Sequence, residues 1–316
     1  MFVGMNKLDT KTRAQILAML VEGNSMRSVT RLTGVSINTV SKLLEDAGRA
    51  CGAHHSITVQ NVKSTKVQCD EIWSFVAAKQ KNVPMMKSAP DVAGDVWTWT
   101  ALDADSKLIV SYMVGTRDAD AATMFMHDTA YRLANRVQLT TDGHAAYLQA
   151  VEGAFGMDVD YAMLVKKYGP ASDSARRYSP PECIGADKKP VMGAPDEAHI
   201  STSYVERSNL SIRMGNRRFT RLTNAFSKKI DNHVYMLSLY FCFYNFCRIH
   251  KTLRVTPAMA AGVDNVVRDM EWIVGLIDMA AQKPNRPARY NQAKGTTDVL
   301  NKGVTLAMAD ARKPRG

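Results

Sequence analysis

Residues 67–76, V-Q-C-D-E-I-W-S-F-V, alternate as a strand does, yet two acids, Asp70 and Glu71, stand at their centre. Neighbours on a strand point to opposite faces, so one of the pair must lie on a face otherwise given to core residues. A carboxylate there is costly unless something offsets it. Glu71 shares parity with Cys69, Trp73 and Phe75; it is expected to pair with a basic residue or to sit where that face is open. Asp70 looks the other way.

Working outward, Val96 to Leu102 (V-W-T-W-T-A-L) and Leu108 to Val114 read as two more strands, joined by the turn D-A-D-S. Residues 118–135 then read as a helix, 137–141 as a short buried strand, 144–155 as a helix and 159–165 as a strand. A three-strand meander followed by helix–strand alternation predicts an α/β fold, a mixed β-sheet flanked by helices. Residues 170–201, rich in proline, glycine and charge, read as an irregular insertion. Helical pattern returns over 202–214 and 227–249. Trp97 and Trp99 share strand parity and are read as core or interface groups.

Upstream, residues 9–48 read as three short helices. Ser25 and Ser36 are suited to cap the second and third, and Gly34 supplies a tight turn between them. The second carries Val29 and Leu32, and Ile37, Val40, Leu43 and Leu44 of the third are expected inward. This is a helix-turn-helix pattern; the exposed face of its last helix would carry Asn38, Thr39 and Lys42, groups suited to base edges and phosphates. A plain three-helix bundle for protein contacts is the alternative. The organisation expected is an all-α helix-turn-helix DNA-binding domain at 1–48, a linker at 49–65, an α/β domain at 66–263, and a C-terminal helix with a basic tail at 264–316.

Composition narrows the function classes. Lys and Arg outnumber Asp and Glu by 41 to 30 over 316 residues, a net charge of +11, which favours a polyanionic partner, nucleic acid before membrane. The five cysteines are scattered and lack paired metal spacing, so a reducing cytosol is expected rather than a disulfide framework. A zinc site from Cys51, His54, His55 and Cys69 matches no common arrangement. The most apolar run, Val234 to Cys247, is shorter than the ~18 residues a membrane span needs. No signal-peptide pattern opens the chain.

Two further acids stand out by context. Asp142 ends a strand in T-T-D-G-H-A-A-Y, and Glu206 lies on a predicted helix in T-S-Y-V-E-R-S-N-L-S-I-R. With Asp70 they could hold hard cations such as magnesium, which prefers oxygen ligands. A pair of such ions can clamp the attacking and leaving oxygens of a phosphodiester displacement. Their charge would also stabilise clustered carboxylates in ionised form. Residue chemistry alone does not select these three from thirty acids.

A resemblance does. D-E-I-W (70–73), T-T-D-G-H-A-A-Y (140–147) and S-Y-V-E-R-S-N-L-S-I-R-M-G-N-R-R-F-T-R-L-T-N-A-F-S (203–227) resemble the three catalytic blocks of DDE-type insertion-sequence transposases, in particular the insertion sequence one family. Y-N-F-C-R-I-H-K-T-L-R-V-T-P-A-M-A-A-G (244–262) is similar to the tail motif of integrase-core transposases. The resemblance implies an RNase H-like fold and catalytic, metal-binding roles for Asp70, Asp142 and Glu206. It implies two Mg2+ ions, with Mn2+ as a substitute, and DNA cleavage and strand transfer without a covalent protein intermediate. The partners implied are terminal inverted repeats and target DNA, met by a homodimer or larger assembly at the prokaryotic nucleoid. A basic residue seven positions after the glutamate, frequent in such families, is matched by Arg213. An N-terminal cysteine zinc motif is missing, which leaves end recognition to the helix-turn-helix region.

Arg207, Arg213, Arg217, Arg218, Arg221, Lys228 and Lys229 follow with no acid among them, and are read as a phosphate-binding track, Arg213 and Arg217 sharing a helix side. Arg248 and His250 match the tail motif and either orient a DNA strand or cap a helix. A general-base role for His144 is unnecessary where a metal activates water. Two other readings stay open: a repressor without catalysis, and a structure-specific nuclease on the same fold.

Overall fold

The structure is a computed structural model that describes residues 7–169, 183–220 and 224–281. Three helices open it: α1 (Thr10–Val21), α2 (Met26–Thr33) and α3 (Ile37–Thr58). Each starts on a side-chain cap. Asp9 accepts from Thr12 N, Ser25 from Ser28 N and Ser36 from Thr39 N. Gly34, at φ 71°, makes the left-handed turn after α2. Ile37, expected inward, is instead 42% exposed, and Leu32 on α2 is 63% exposed.

The linker expected at 49–65 is corrected by α3, which runs unbroken to Thr58. Gly48 and Gly52 look like breakers in sequence, but Gly48 marks a close approach. A Cβ there would lie 2.4 Å from Tyr235 Cα, so the glycine lets a later helix cross directly against α3. Ala47, Ala50, Cys51 and Ala53 bury the same stretch. The boundary expected at 48 is likewise not seen, because α1 and α3 share one apolar core with that later helix and with one face of the sheet.

The sheet has six strands: β1 (Lys66–Val76), β2 (Gly94–Asp103), β3 (Ile109–Gly115), β4 (Val137–Asp142), β5 (Val159–Tyr168) and β6 (Cys183–Met192). Their order is β3-β2-β1-β4-β5-β6. β1 pairs antiparallel with β2 and parallel with β4; β4 and β5 are parallel, while β2–β3 and β5–β6 are antiparallel. The expected mixed sheet flanked by helices is therefore present. The irregular insertion is corrected in part, since β6 forms from its second half; residues 170–182 lie outside the described residues. C-I-G-A-D-K-K-P-V-M shows no alternation, and its Pro190 is tolerated because β6 is an edge strand.

Helices α4 (Ala119–Arg132) and α5 (Ala146–Phe155) cover one face of the sheet, over Val67, Cys69 and Trp99. The other face, with Ile72 and Val76, packs on α6 (Ser203–Gly215), α7 (Ile230–Cys242) and α9 (Met270–Ala280). A short α8 (Pro257–Ala260) lies between the last two. The helix expected over 227–249 is α7 followed by a π-turn at Phe243–Cys247. Arg13 grips Asp278 with two bonds of 2.7 and 3.0 Å, tying α1 to α9. The basic tail lies outside the described residues, and no helix among those described is long and apolar enough to cross a membrane.

Candidate active site

The three acids singled out in the sequence line one cleft of about 580 Å³, together with Arg117, His144, Lys166 and Thr202. Strand geometry explains why a cleft forms there. β1 and β4 pair only through Gln68↔Thr140, whereas β4 stays paired with β5 as far as Asp142↔Leu164. Beyond residue 140, therefore, β1 and β4 part, and the sheet opens between Asp70 and Asp142.

Asp70 points to the α6 face. Its Oδ2 accepts from Asn209 Nδ2 at 2.8 Å and its Oδ1 from Glu71 N at 2.9 Å. Gln68, two residues earlier on the same face, accepts from Tyr204 N and Val205 N at 2.9 and 3.1 Å. α6 has no side-chain cap of its own, so β1 supplies one and thereby sets Glu206 over the cleft. Asp142 Oδ1 accepts from His144 N at 3.0 Å, so it closes the turn ahead of α5 rather than capping the helix.

Glu71, unlike the sequence reading, joins the cluster. One carboxylate oxygen from each of Asp70, Glu71 and Asp142 lies within 4.8 Å of the others, the only such metal-capable group among the described residues. Glu71 does sit on the opposite face and does find a basic residue, since Arg117 Nη2 is 3.7 Å from its Oε2 and 3.5 Å from Asp142 Oδ2. Its Oε1 makes no hydrogen bond of good geometry, although the buried Tyr147 hydroxyl lies close enough to the carboxylate to draw its pKa down in part. Glu206 stands slightly apart, its two oxygens taken by Lys166 Nζ and Thr202 Oγ1.

Electrostatics report the crowding. Burial, then the charge of Asp142, pushes the Asp70 carboxyl up to about 6. The same two causes, in the same order, raise Glu71 to about 8 against the pull of Arg117. Burial pulls the Lys166 ammonium down, but Glu206 more than offsets it and the pKa is raised. Burial and Arg117 lower His144. Clustered acids that resist ionisation, with one oxygen from each of three carboxylates within 4.8 Å, fit a site for a hard divalent cation, which oxygen ligands suit.

The expected DNA-contacting residues divide. Asn38, Thr39 and Lys42 are exposed, with Thr39 held to Ser36 at 2.9 Å and Lys42 to Asp46 at 2.8 Å. Arg207, Lys228, Lys229 and Arg248 are exposed, and Arg213 and His250 half-buried. Arg213 and Arg217 do not share a helix side, because α6 ends at Gly215 and Arg217 opens a separate turn. Arg218 leaves the track: its guanidinium donates to Ser227 Oγ at 2.9 Å, and burial lowers its pKa to about 10. Arg221 lies outside the described residues. Trp99 is fully buried as expected, and Cys51, His54, His55 and Cys69 form no metal group among the described residues. Arg117 and Lys166 were missed, and no local spacing signals either. Comparison with known protein families and with curated proteins returns no match.

Proposed function

We propose that this chain is a DNA transposase of the DDE type, cutting the ends of an insertion sequence and joining the freed 3′-hydroxyl to target DNA. One observation carries the reading: Asp70, Asp142 and Glu206, from three sequence-distant blocks, line the same cleft. The six-stranded mixed sheet with helices on both faces is compatible with an RNase H-like fold. Asp70, Glu71 and Asp142 would hold one divalent cation, and Glu206 would join a second only by releasing Lys166 and Thr202. Bound there, Mg2+ or Mn2+ would activate water and then the 3′-hydroxyl as nucleophile and neutralise charge on the leaving oxygen. The chain's own part is positioning. Gln68 fixes the start of α6, Asn209 fixes the Asp70 carboxylate, and the exposed Arg207, Lys228 and Lys229 offer charge to the DNA backbone. The exposed face at Asn38, Thr39 and Lys42 would read the terminal repeat, and synapsis of two ends would need at least a dimer.

The test uses labelled DNA carrying the inverted repeats that flank the coding sequence, incubated with target plasmid and Mg2+. Joined products are expected, and Asp142→Asn should abolish cutting and joining while DNA binding persists. Cutting of branched DNA without joining would make the chain a nuclease, and specific binding without any cutting a repressor. Either result would overturn the proposal.

A further inference from the structure

Arg117 lines the cleft, and although its side chain is 36% exposed it is anchored on several sides. It lies between β3 and α4, next to Asp118, whose carboxylate accepts from Ala121 N at 3.0 Å and starts α4. The carbonyl before it, Thr116, accepts from the Trp99 indole N–H at 3.0 Å. Its guanidinium lies 4.8 Å from the centre of the Trp97 ring. Two tryptophans thus flank it, one holding the carbonyl before it and one lying under its guanidinium, and the charged end reaches the acids.

What it does there follows from distance and chemistry. At 3.5 Å from Asp142 and 3.7 Å from Glu71, Nη2 is close enough to offset the charge of Asp142 and to pull against the raised Glu71 carboxyl. It is nevertheless farther than the roughly 2.7–2.9 Å of a charge-assisted hydrogen bond. The planar fork is therefore not locked onto either carboxylate. Glu71, only 8% exposed, keeps a buried oxygen without a hydrogen bond of good geometry even with the Tyr147 hydroxyl nearby, so Arg117 does not satisfy the cluster it faces. A guanidinium matches phosphate oxygens in two-pronged fashion, and one already stacked on an indole loses little freedom in doing so.

We propose that Arg117 is the cluster's own counter-cation, that it competes with a divalent cation for Glu71 and Asp142, and that, once displaced, it binds a phosphate of the DNA backbone in the cleft. This rests on reading the cleft as a metal-dependent DNA site. Removing the guanidinium should then have opposite effects on the two ligands, which a merely structural residue would not produce.

The experiment compares the intact chain with Arg117→Gln and Arg117→Lys. Mn2+ binding is followed by the electron paramagnetic resonance of free Mn2+. Binding of a short labelled duplex of arbitrary sequence is followed by anisotropy over a salt series with Mn2+ present. In R117Q, Mn2+ affinity is expected to rise about three- to tenfold, as loss of one half-screened positive charge near the acids implies. Duplex affinity should fall, and the slope of log K against log salt should shrink by about one. R117K should keep near-native Mn2+ affinity but bind the duplex more weakly, since it lacks the fork. If R117Q fails to fold, R117K decides alone, and unchanged duplex binding by it overturns the proposal. Unchanged or weakened Mn2+ affinity in R117Q overturns the exchange while the cleft reading stands. Failure of the unaltered chain to bind Mn2+ overturns both.

Discussion

Glu71→Gln should make the chain more stable in EDTA while weakening its response to magnesium. Burial, followed by Asp142, raises the Glu71 carboxyl from 4.5 to about 8. Between those values the folded chain keeps a proton that the unfolded chain releases, so this group's contribution to stability falls as pH rises from about 4.5 to about 8. At pH 7 the gap is about 2.5 pH units, or about 3 kcal/mol. The carboxylate is 1% exposed, so solvent screening removes little of that. Coupling to Asp70 and Asp142 and the lost attraction of Arg117 remove more, leaving an expected gain of about 1–3 kcal/mol. For a chain of this size that is roughly 2–6 °C in Tm. Magnesium at tenfold its dissociation constant should add about 1.4 kcal/mol to the unaltered chain and less to the variant. The assay is urea unfolding of both chains at pH 5, 7 and 8, in EDTA and in magnesium. A variant no more stable than the parent at pH 7 to 8 in EDTA would refute the account, as would equal stabilisation of the two by magnesium.

Two further perturbations test the frame around the cleft. Gly48→Ala would ordinarily favour a helix by about 1 kcal/mol, but its Cβ would meet Tyr235 Cα and Cβ at 2.4 Å. A net loss of about 1–3 kcal/mol in urea unfolding is therefore expected. His233, buried between Ser74 and Ser227 at 3.2 Å from each, is lowered by burial and then Arg218 to about 3. Its unfolded form takes up a proton below about 6.5, so the folded state loses about 2–3 kcal/mol between pH 6.5 and 4.5. The stability difference between the parent and His233→Asn should narrow by that amount over the same range.

Strand parity alone placed Asp70 and Glu71 on opposite faces, and the caps at Ser25 and Ser36 with the turn at Gly34 followed from local chemistry. These features are legible because they depend on near neighbours. Glu71's membership of the cluster was not legible, because parity assumes a continuous sheet. Where β1 and β4 part, no strand separates the two faces, and a glutamate is long enough to reach round. Gly48 failed for a related reason: a glycine in a helical run has one appearance whether it ends the helix or admits another, and only Tyr235, far along the chain, distinguishes the two. Arg218 looked like one more member of a basic run, yet Ser227 and the burial around it take it inward.

The continuity of α3 changes what the N-terminal helices can do. A flexible linker would let the N-terminal helices move independently of the cleft. A 22-residue helix, about 33 Å long at 1.5 Å per residue, instead carries the exposed Asn38 and Lys42 at one end and packs Gly48 against α7 further along. α9 closes the arrangement, since Asp278 binds both Arg13 and Lys7 at 2.7 Å. The N-terminal surface is thus a rigid extension of the core that holds Asp70 and Glu206. If both surfaces engage one DNA molecule, protein geometry rather than linker length sets the distance between them.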